Sequence, residues 1–466
     1  HMNWAGEADV QTPYIDQLAA ESVRFTNAYT NSPICGPSRH CFYTGRCVAE
    51  HHVFKNDMAM NPNCRTLMAH LNEVGYMTAN VGKMHNAPYH SRRDFQYVLN
   101  HEFYETEAGI SHYTPYARQQ MQARGLKAGN WAKNDEGLPW GQVLESTAFV
   151  NDWRPDDLSA ERWTADQCIE FMRQHQQTKP NQPFFLHASF FPPHHPYGPL
   201  KKYADMYAAE EMEFPPSFNE ESWRKSTHPQ GLSLEDFKRI KALYFAFITQ
   251  FDDEMGRLLN GLDKLGLKED TIVVFVSDHG DMMGEHGRLY KGTMHEASTR
   301  IPMLVRWPGM KPREESRLVS MVDFMPTFLA AGGIQPPQDL PGRDLRPLME
   351  NIHNWPQRAV YSETCSEFPY LFQMWRKGDY KLMVSHRRPR PPQYGFYNVR
   401  QDPYEMHDLI NDPGQQVRIA EFKAELDRHY TELSKALPAS MPEIPKRLRY
   451  KTTWPTDPFA SVTPIQ

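Results

Sequence analysis

Apolar and polar positions follow two periods along most of the chain. Ile240, Leu243, Tyr244, Phe247, Phe251, Met255, Leu258, Leu262 and Leu265 recur at steps of one, three and four, which predicts one long helix over 236–265. Shorter helices are predicted over 12–20, with Thr12 as cap and Pro13 at the first helical position, over 66–74, ending at Gly75, and over 164–175, capped by Thr164. Between them, Val23 to Tyr29, "YMTANVG" (76–82), "PFFLHASFF" (183–191) and "TIVVFVSDHG" (271–280) read as strands. The apolar run of 183–191 is that of a buried strand, and the repeated helix-then-strand units argue for a sheet covered on both faces. Helix alternating with strand predicts an α/β fold, a large mostly parallel sheet sandwiched by helices. After about residue 350 the pattern changes to "RAVYSETC", "YLFQMWRKGDYKLMVSH" and "YGFYNV", short strands joined by turns, then a helix over about 415–436. This divides the chain into a large α/β unit, 1–350, and a smaller α+β unit, 351–466. The smaller unit carries an antiparallel sheet and ends in a Pro-rich tail expected to wrap the surface.

The polar residues at the strand ends give the pattern chemical content. Lys83 and His85, His194, and Asp278 and His279 each follow a predicted strand, and open α/β sheets bind ligands beyond the carboxyl ends of their strands. A net charge of −6 leaves no basic footprint, which argues against a nucleic-acid partner. No apolar run is long enough to span a membrane, and the mean hydropathy is −0.69. Compartment and oligomeric state stay open. Three of the six cysteines, Cys35, Cys41 and Cys47, fall close together, but no C-x2-C pair suggests zinc and the chain is too long to need a disulfide scaffold. Taken alone, Cys35 could be a metal ligand, half of a disulfide, a nucleophile or packing.

The surroundings of Cys35 narrow this choice. "CGPSR" (35–39) followed by "TGR" (44–46) resembles the type I sulfatase signature C-x-P-S-R…T-G-R, of the alkaline phosphatase superfamily. "VGKMH", "PPHHPY", "VSDHGDMMGEHG", "KGTMHEASTRIPMLVRWPG" and "FYNVRQDPYEMHDLINDP" resemble further segments of that family in the same order. The resemblance implies a sulfate ester hydrolase whose cysteine is converted by a formylglycine-generating enzyme to formylglycine, the nucleophile. It implies that Cys35 in this form also ligates a metal, that Arg39 holds the nucleophile oxygen, and that Lys83 and Lys291 bind sulfate oxygens. It further implies that His85 orients or deprotonates the hydrated aldehyde and that His194 contacts sulfate or the leaving oxygen. Asp278 and His279 would hold a divalent cation, calcium in preference to manganese or magnesium. His286 and His295 are candidates for substrate contact or simply for packing, and Asp252 and Asp253 are read as structural. The chemistry is consistent: sulfate oxygens repel a nucleophile, so cations, a metal and a leaving-group acid are needed.

The family begins with an apolar strand ending in two adjacent aspartates, both metal ligands, and this sequence has none. Either His1-Met2 is an expression scar, or "HMNWAGEADVQTP" continues the family's D-H-x-x-x-x-G region, which its register favours. His194 to Tyr197, Trp131, Trp140, Trp153 and Tyr370 to Trp375 could stack on sugar rings or form loop cores; the first reading makes a sulfated carbohydrate the expected substrate. A phosphonate monoester or phosphodiester hydrolase on the same scaffold, or a non-catalytic binder of sulfated glycans, are the alternatives.

Overall fold

A computed structural model describes residues 2–56, 58–87, 91–101, 111–126, 148, 154–225, 232–350, 355–367, 370–386 and 391–435. Twelve strands occur in chain order among them: β1 (Val23–Tyr29), β2 (Met77–Gly82), β3 (Tyr97–Asn100), β4 (Phe184–Ser189), β5 (Val273–Val276), β6 (Arg300–Arg306), β7 (Arg313–Glu315), β8 (Val319–Ser320), β9 (Ala359–Glu367), β10 (Tyr370–Lys377), β11 (Tyr380–His386) and β12 (Gln393–Asn398). β3, β2 and β4 form a parallel three-stranded sheet. β5, β6, β1 and β7 form a second sheet, with β8 also on β1; here β6 runs antiparallel to both neighbours, while β7 and β8 are parallel to β1. β9 to β12 form the expected antiparallel meander, covered by the Gln416–Ser434 helix. The α/β class with a smaller C-terminal antiparallel sheet therefore stands. The Pro-rich tail after 435 lies outside the described residues, as do Trp131, Trp140 and Trp153.

The long helix, Leu234–Lys264, starts from a capping box in which Ser233 and Asp236 satisfy each other's backbone N–H groups. Its apolar face packs on the Ala160–Thr178 helix and on the Pro13–Ala20 helix. The Ala160–Thr178 helix begins earlier than Thr164 because Ser159 supplies the cap, accepting from the Arg162 N–H. Thr12 does not cap the first helix. Its hydroxyl turns to Asp16, and the Asp252 carboxylate of the long helix accepts the Tyr14 and Ile15 N–H groups at 3.0 and 2.7 Å. Asp252 is thus structural, as expected, and so is Asp253, which accepts the Tyr203 hydroxyl.

One expectation changes. Phe184 to Ala188 on β4 and three of the four β5 residues are only half-buried, although their sequences read as doubly covered strands. Among the described strands, β4 pairs only with β2 and β5 only with β6. Their unpaired edges flank a cleft of about 1190 Å³, walled by apolar residues such as Met255, Leu258 and Phe42. Its polar end holds Arg39, Lys83, His194, Asp278, His279 and Lys291.

Candidate active site

Cys35 is the first residue of the Cys35–Thr44 helix and is fully buried. One turn on, Arg39 donates from Nε to the Asp278 carboxylate at 2.9 Å and from a terminal nitrogen to the Lys83 carbonyl and the Ser189 hydroxyl. The signature helix is thereby tied to the ends of β2, β4 and β5. Ser38 donates to the Asp278 carbonyl at 2.5 Å, a second tie to the same residue.

Lys83 reaches the site through a glycine. Gly82 has φ 100°, and a Cβ there would lie 2.0 Å from the Ser189 carbonyl oxygen, so only glycine lets β2 and β4 close at this point. The Lys83 N–H then donates to that carbonyl, and its ammonium lies 4.9 Å from the Phe191 ring centroid. Burial pulls the Lys83 pKa down, against the opposing pull of Cys35.

Lys291 and His194 meet across two loops at 2.6 Å. His194 Nδ1 lies 2.5 Å from the His195 carbonyl, so Nδ1 carries the proton and Nε2 accepts from Lys291. Burial, together with Lys291 and Lys83, pushes the His194 pKa well below the usual range and keeps the ring neutral. Asp281 holds both loops. One oxygen accepts the Met283 and Tyr290 N–H groups beside Lys291, and the other accepts the Tyr197 hydroxyl from the His194 loop. His195 stacks on His194 and meets the Tyr290 ring at a tilt, centroids 4.2 and 4.1 Å apart. The sequence reading missed Asp281 and Ser189; the signal for Asp281 was its place in "SDHGD", directly after the strand.

His279 approaches Cys35 with Nε2 3.1 Å from Sγ and 3.5 Å from an Asp278 oxygen, while Nδ1 contacts the Gly280 carbonyl at 2.8 Å. The Nδ1–H is thereby spoken for, and the Nε2 lone pair faces Cys35 and Asp278. Metal-ligating histidines are oriented in this way. The Cys35, Asp278 and His279 ligand atoms all lie within 4.8 Å of one another. Burial raises the Asp278 pKa, but His279 and Arg39 outweigh it and hold the carboxyl well below its usual range. At Cys35 burial likewise raises the pKa, yet Lys291, Lys83 and His279 carry it well below the ordinary thiol value. The field at this position favours a negative charge.

Seven predicted residues thus converge: Cys35, Arg39, Lys83, His194, Asp278, His279 and Lys291. His295 turns away from the contacts around Cys35. His85 takes a left-handed backbone (φ 54°), is buried, and lies close enough to His40 to oppose its protonation. His295 caps the Glu296–Thr299 helix and turns its ring onto His286, centroids 4.2 Å apart. Trp375 is no sugar platform either: it packs against Tyr361 and His429 and donates to Glu425.

The sequence matches the Sulfatase family over residues 1–334 and the N-sulphoglucosamine sulphohydrolase C-terminal family over 284–432. It is 29% identical over 442 residues to an arylsulfatase of Clostridium perfringens, covering 89% of this chain and 88% of that one. It is 26% identical over 459 residues to an N-acetylglucosamine-6-O-sulfatase of Bacteroides thetaiotaomicron, covering 86% and 78%. The fold resembles that of a phosphonate monoester hydrolase of Agrobacterium radiobacter, with a TM-score of 0.77, 21% identity and 93% of each chain covered. Motif, fold and match over most of its length agree: the chain belongs to the sulfatase family of the alkaline phosphatase superfamily and is a sulfuric ester hydrolase.

Proposed function

We propose that this chain hydrolyses sulfate esters on a sulfated carbohydrate, with the nucleophile at position 35 and a divalent cation beside it. The observation that carries this reading is the convergence of Lys83, Lys291, Arg39 and neutral His194 on Cys35, with Asp278 as the carboxylate among them. A sulfate group placed against Cys35 would meet two ammonium groups as point charges, which offset its repulsion of an incoming oxygen. Arg39 fixes Asp278 and the helix that presents position 35. Lys291 bears the proton in the Lys291–His194 pair, so it is the group able to supply one to the leaving oxygen, with His194 Nε2 holding it in place.

The family implies formylglycine at position 35, made from Cys35 by a formylglycine-generating enzyme, which would supply an oxygen nucleophile and a second hydroxyl for release of sulfate. Cys35 Sγ marks where that oxygen would stand. The family also implies a divalent metal, which would supply charge stabilisation and favour the ionised nucleophile. Asp278, His279 and the position-35 oxygen fit such an ion, as the exposed Nε2 lone pair of His279 argues. Calcium takes six to eight oxygens, so this set calls for further donors. We assign the catalytic unit to 1–350 and the C-terminal α+β unit to 351–466.

A sulfated saccharide is favoured by the named substrate of the N-acetylglucosamine-6-O-sulfatase relative. Phosphonate monoester hydrolysis is a second reading, favoured by an imidazole, His279, in the metal set. The test is a screen of the protein, co-expressed with a formylglycine-generating enzyme, on sulfated saccharides, an aryl sulfate and phosphonate monoesters. Intact mass should show loss of SH2 and gain of O at Cys35. Turnover should be greatest on a sulfated saccharide and absent in Cys35→Ala; Cys35→Ser, lacking the second hydroxyl, should be severely slowed. Turnover by Cys35→Ala within about tenfold of the unmutated enzyme would sink the assignment.

A further inference from the structure

A second group of ligand-type side chains lies apart from the Cys35 site. His286, His295 and Glu405 each offer one atom, and these atoms lie within 4.8 Å of one another. His286 sits in the loop after β5 with a left-handed backbone (φ 52°), its N–H held by the Ser217 carbonyl. Its ring bonds to the Tyr404 backbone, which takes up the other nitrogen and leaves Nε2 as the free lone pair. His286 Nε2 and His295 Nδ1 are both buried without a hydrogen-bond partner. Glu405 comes from the C-terminal unit, also with a left-handed backbone (φ 53°). One of its oxygens accepts the Glu296 N–H at 2.7 Å. The other lies 2.7 Å from the Lys381 ammonium but lacks the direction of a hydrogen bond.

Two buried imidazole nitrogens without partners, on rings 4.2 Å apart, leave a polar deficit that neither relieves for the other, and each such group costs about 1–3 kcal/mol. We propose that His286, His295 and Glu405 form a second cation site, of the kind taken by zinc and separate from the site at Asp278. Zinc takes imidazole nitrogen and carboxylate oxygen in a four-coordinate shell, which two histidines and one glutamate nearly fill, whereas calcium needs six to eight oxygens and would find only one carboxylate here. His286 carries the support that metal-ligating histidines need, its second nitrogen being tied to a backbone group. Glu405 would turn from Lys381 to the ion, and Lys381 would keep Glu296, 2.9 Å away. The ion would join the loop that carries Lys291 to the C-terminal unit.

The test uses the full chain, stripped with chelator, saturated with calcium to occupy the first site, then equilibrated with zinc alone and dialysed. Elemental analysis should find one zinc per chain. His295→Phe and His286→Gln should each weaken retention by about tenfold or more, and Asp278→Asn should leave it unchanged. No retained zinc, or retention by both histidine variants equal to that of the unmutated protein, overturns the site. If the variants fail to fold, zinc-soaked crystals of the unmutated protein decide. An anomalous peak between His286 and His295 supports the site; a peak only elsewhere, or water-like density between them, overturns it.

Discussion

Two buried clusters of charge stand in contrast. Where the C-terminal antiparallel sheet meets the Glu296–Thr299 helix, Arg376 and Lys381 face Glu296 and Glu405. Arg376 lies 3.1 Å from Glu296, and Lys381 reaches Glu296 and Glu405 at 2.9 and 2.7 Å. Tyr29 adds a hydroxyl to Glu296 and its ring face to Arg376. Every charge there is answered. Around Cys35 the balance is different. Arg39 has Asp278, but among the described residues neither Lys83 nor Lys291 has a carboxylate partner. Lys83 lies over an aromatic ring and Lys291 donates to a neutral imidazole. Burying a cation without an anion costs several kcal/mol, so such an excess persists where an anion is to be bound. The balanced cluster holds the fold together, and the unbalanced one is where a sulfate would sit.

The contrast can be broken from either side. Glu296→Gln should cost about 3–5 kcal/mol, because it leaves Arg376 and Lys381 buried with only Glu405. A urea titration reads this directly, and a loss below about 1 kcal/mol would remove the cluster's structural role. Lys83→Ala and Lys291→Ala should move in the opposite sense. Each should lower turnover by about 10²-fold, as does loss of a preorganised donor, while stability stays level or rises. Inorganic sulfate should raise the melting temperature of the unmutated protein and lose that effect in either lysine variant. Stability losses in both lysine variants comparable to that of Glu296→Gln would mean the two clusters do the same job.

Much of this was legible in the sequence, for identifiable reasons. The long helix runs Leu234–Lys264 against an expected 236–265, since one apolar face over many turns leaves no other period. β1 and β2 fall where expected, bounded by Gly82 and by a helix ending at Ala20. Seven of the nine site residues come together: Lys83, His194, Asp278 and His279 follow strands, Cys35 and Arg39 lie on the helix after β1, and Lys291 lies in the long loop after β5. What local pattern could not carry was long-range. Asp252 caps a helix 237 positions away in the chain. β6 is antiparallel, yet its apolar run reads like that of a parallel strand. The half-burial of β4 and β5 depends on what lies beside their edges, which no alternation encodes. His295 sits four residues past Lys291, so it read as a site residue; as the cap of a short helix, it faces His286 instead.

A third arrangement sharpens the comparison: a buried acid with no cation. Glu363 on β9 accepts the Ala49 N–H and the Tyr361 hydroxyl, both at 2.9 Å, and among the described residues no cation pairs with it. Burial pushes its pKa from 4.5 up to about 7. Between those values the folded chain holds a proton on Glu363 that the unfolded chain has released. Its contribution to stability is therefore greatest below the unfolded pKa, declines as pH rises toward 7, and is level above that. The full decline is on the order of 3 kcal/mol if the shift is carried entirely by this group. Asp252 and Glu254 are raised to about 7 by burial as well, so the raw pH profile sums several acids. Subtracting the profile of Glu363→Gln from that of the unmutated protein isolates the one group. The difference should fall between pH 4.5 and 7 and be flat above. A flat difference throughout would mean that Glu363 is charged in the fold and that a cation answers it, placing it with Glu296 rather than apart from it.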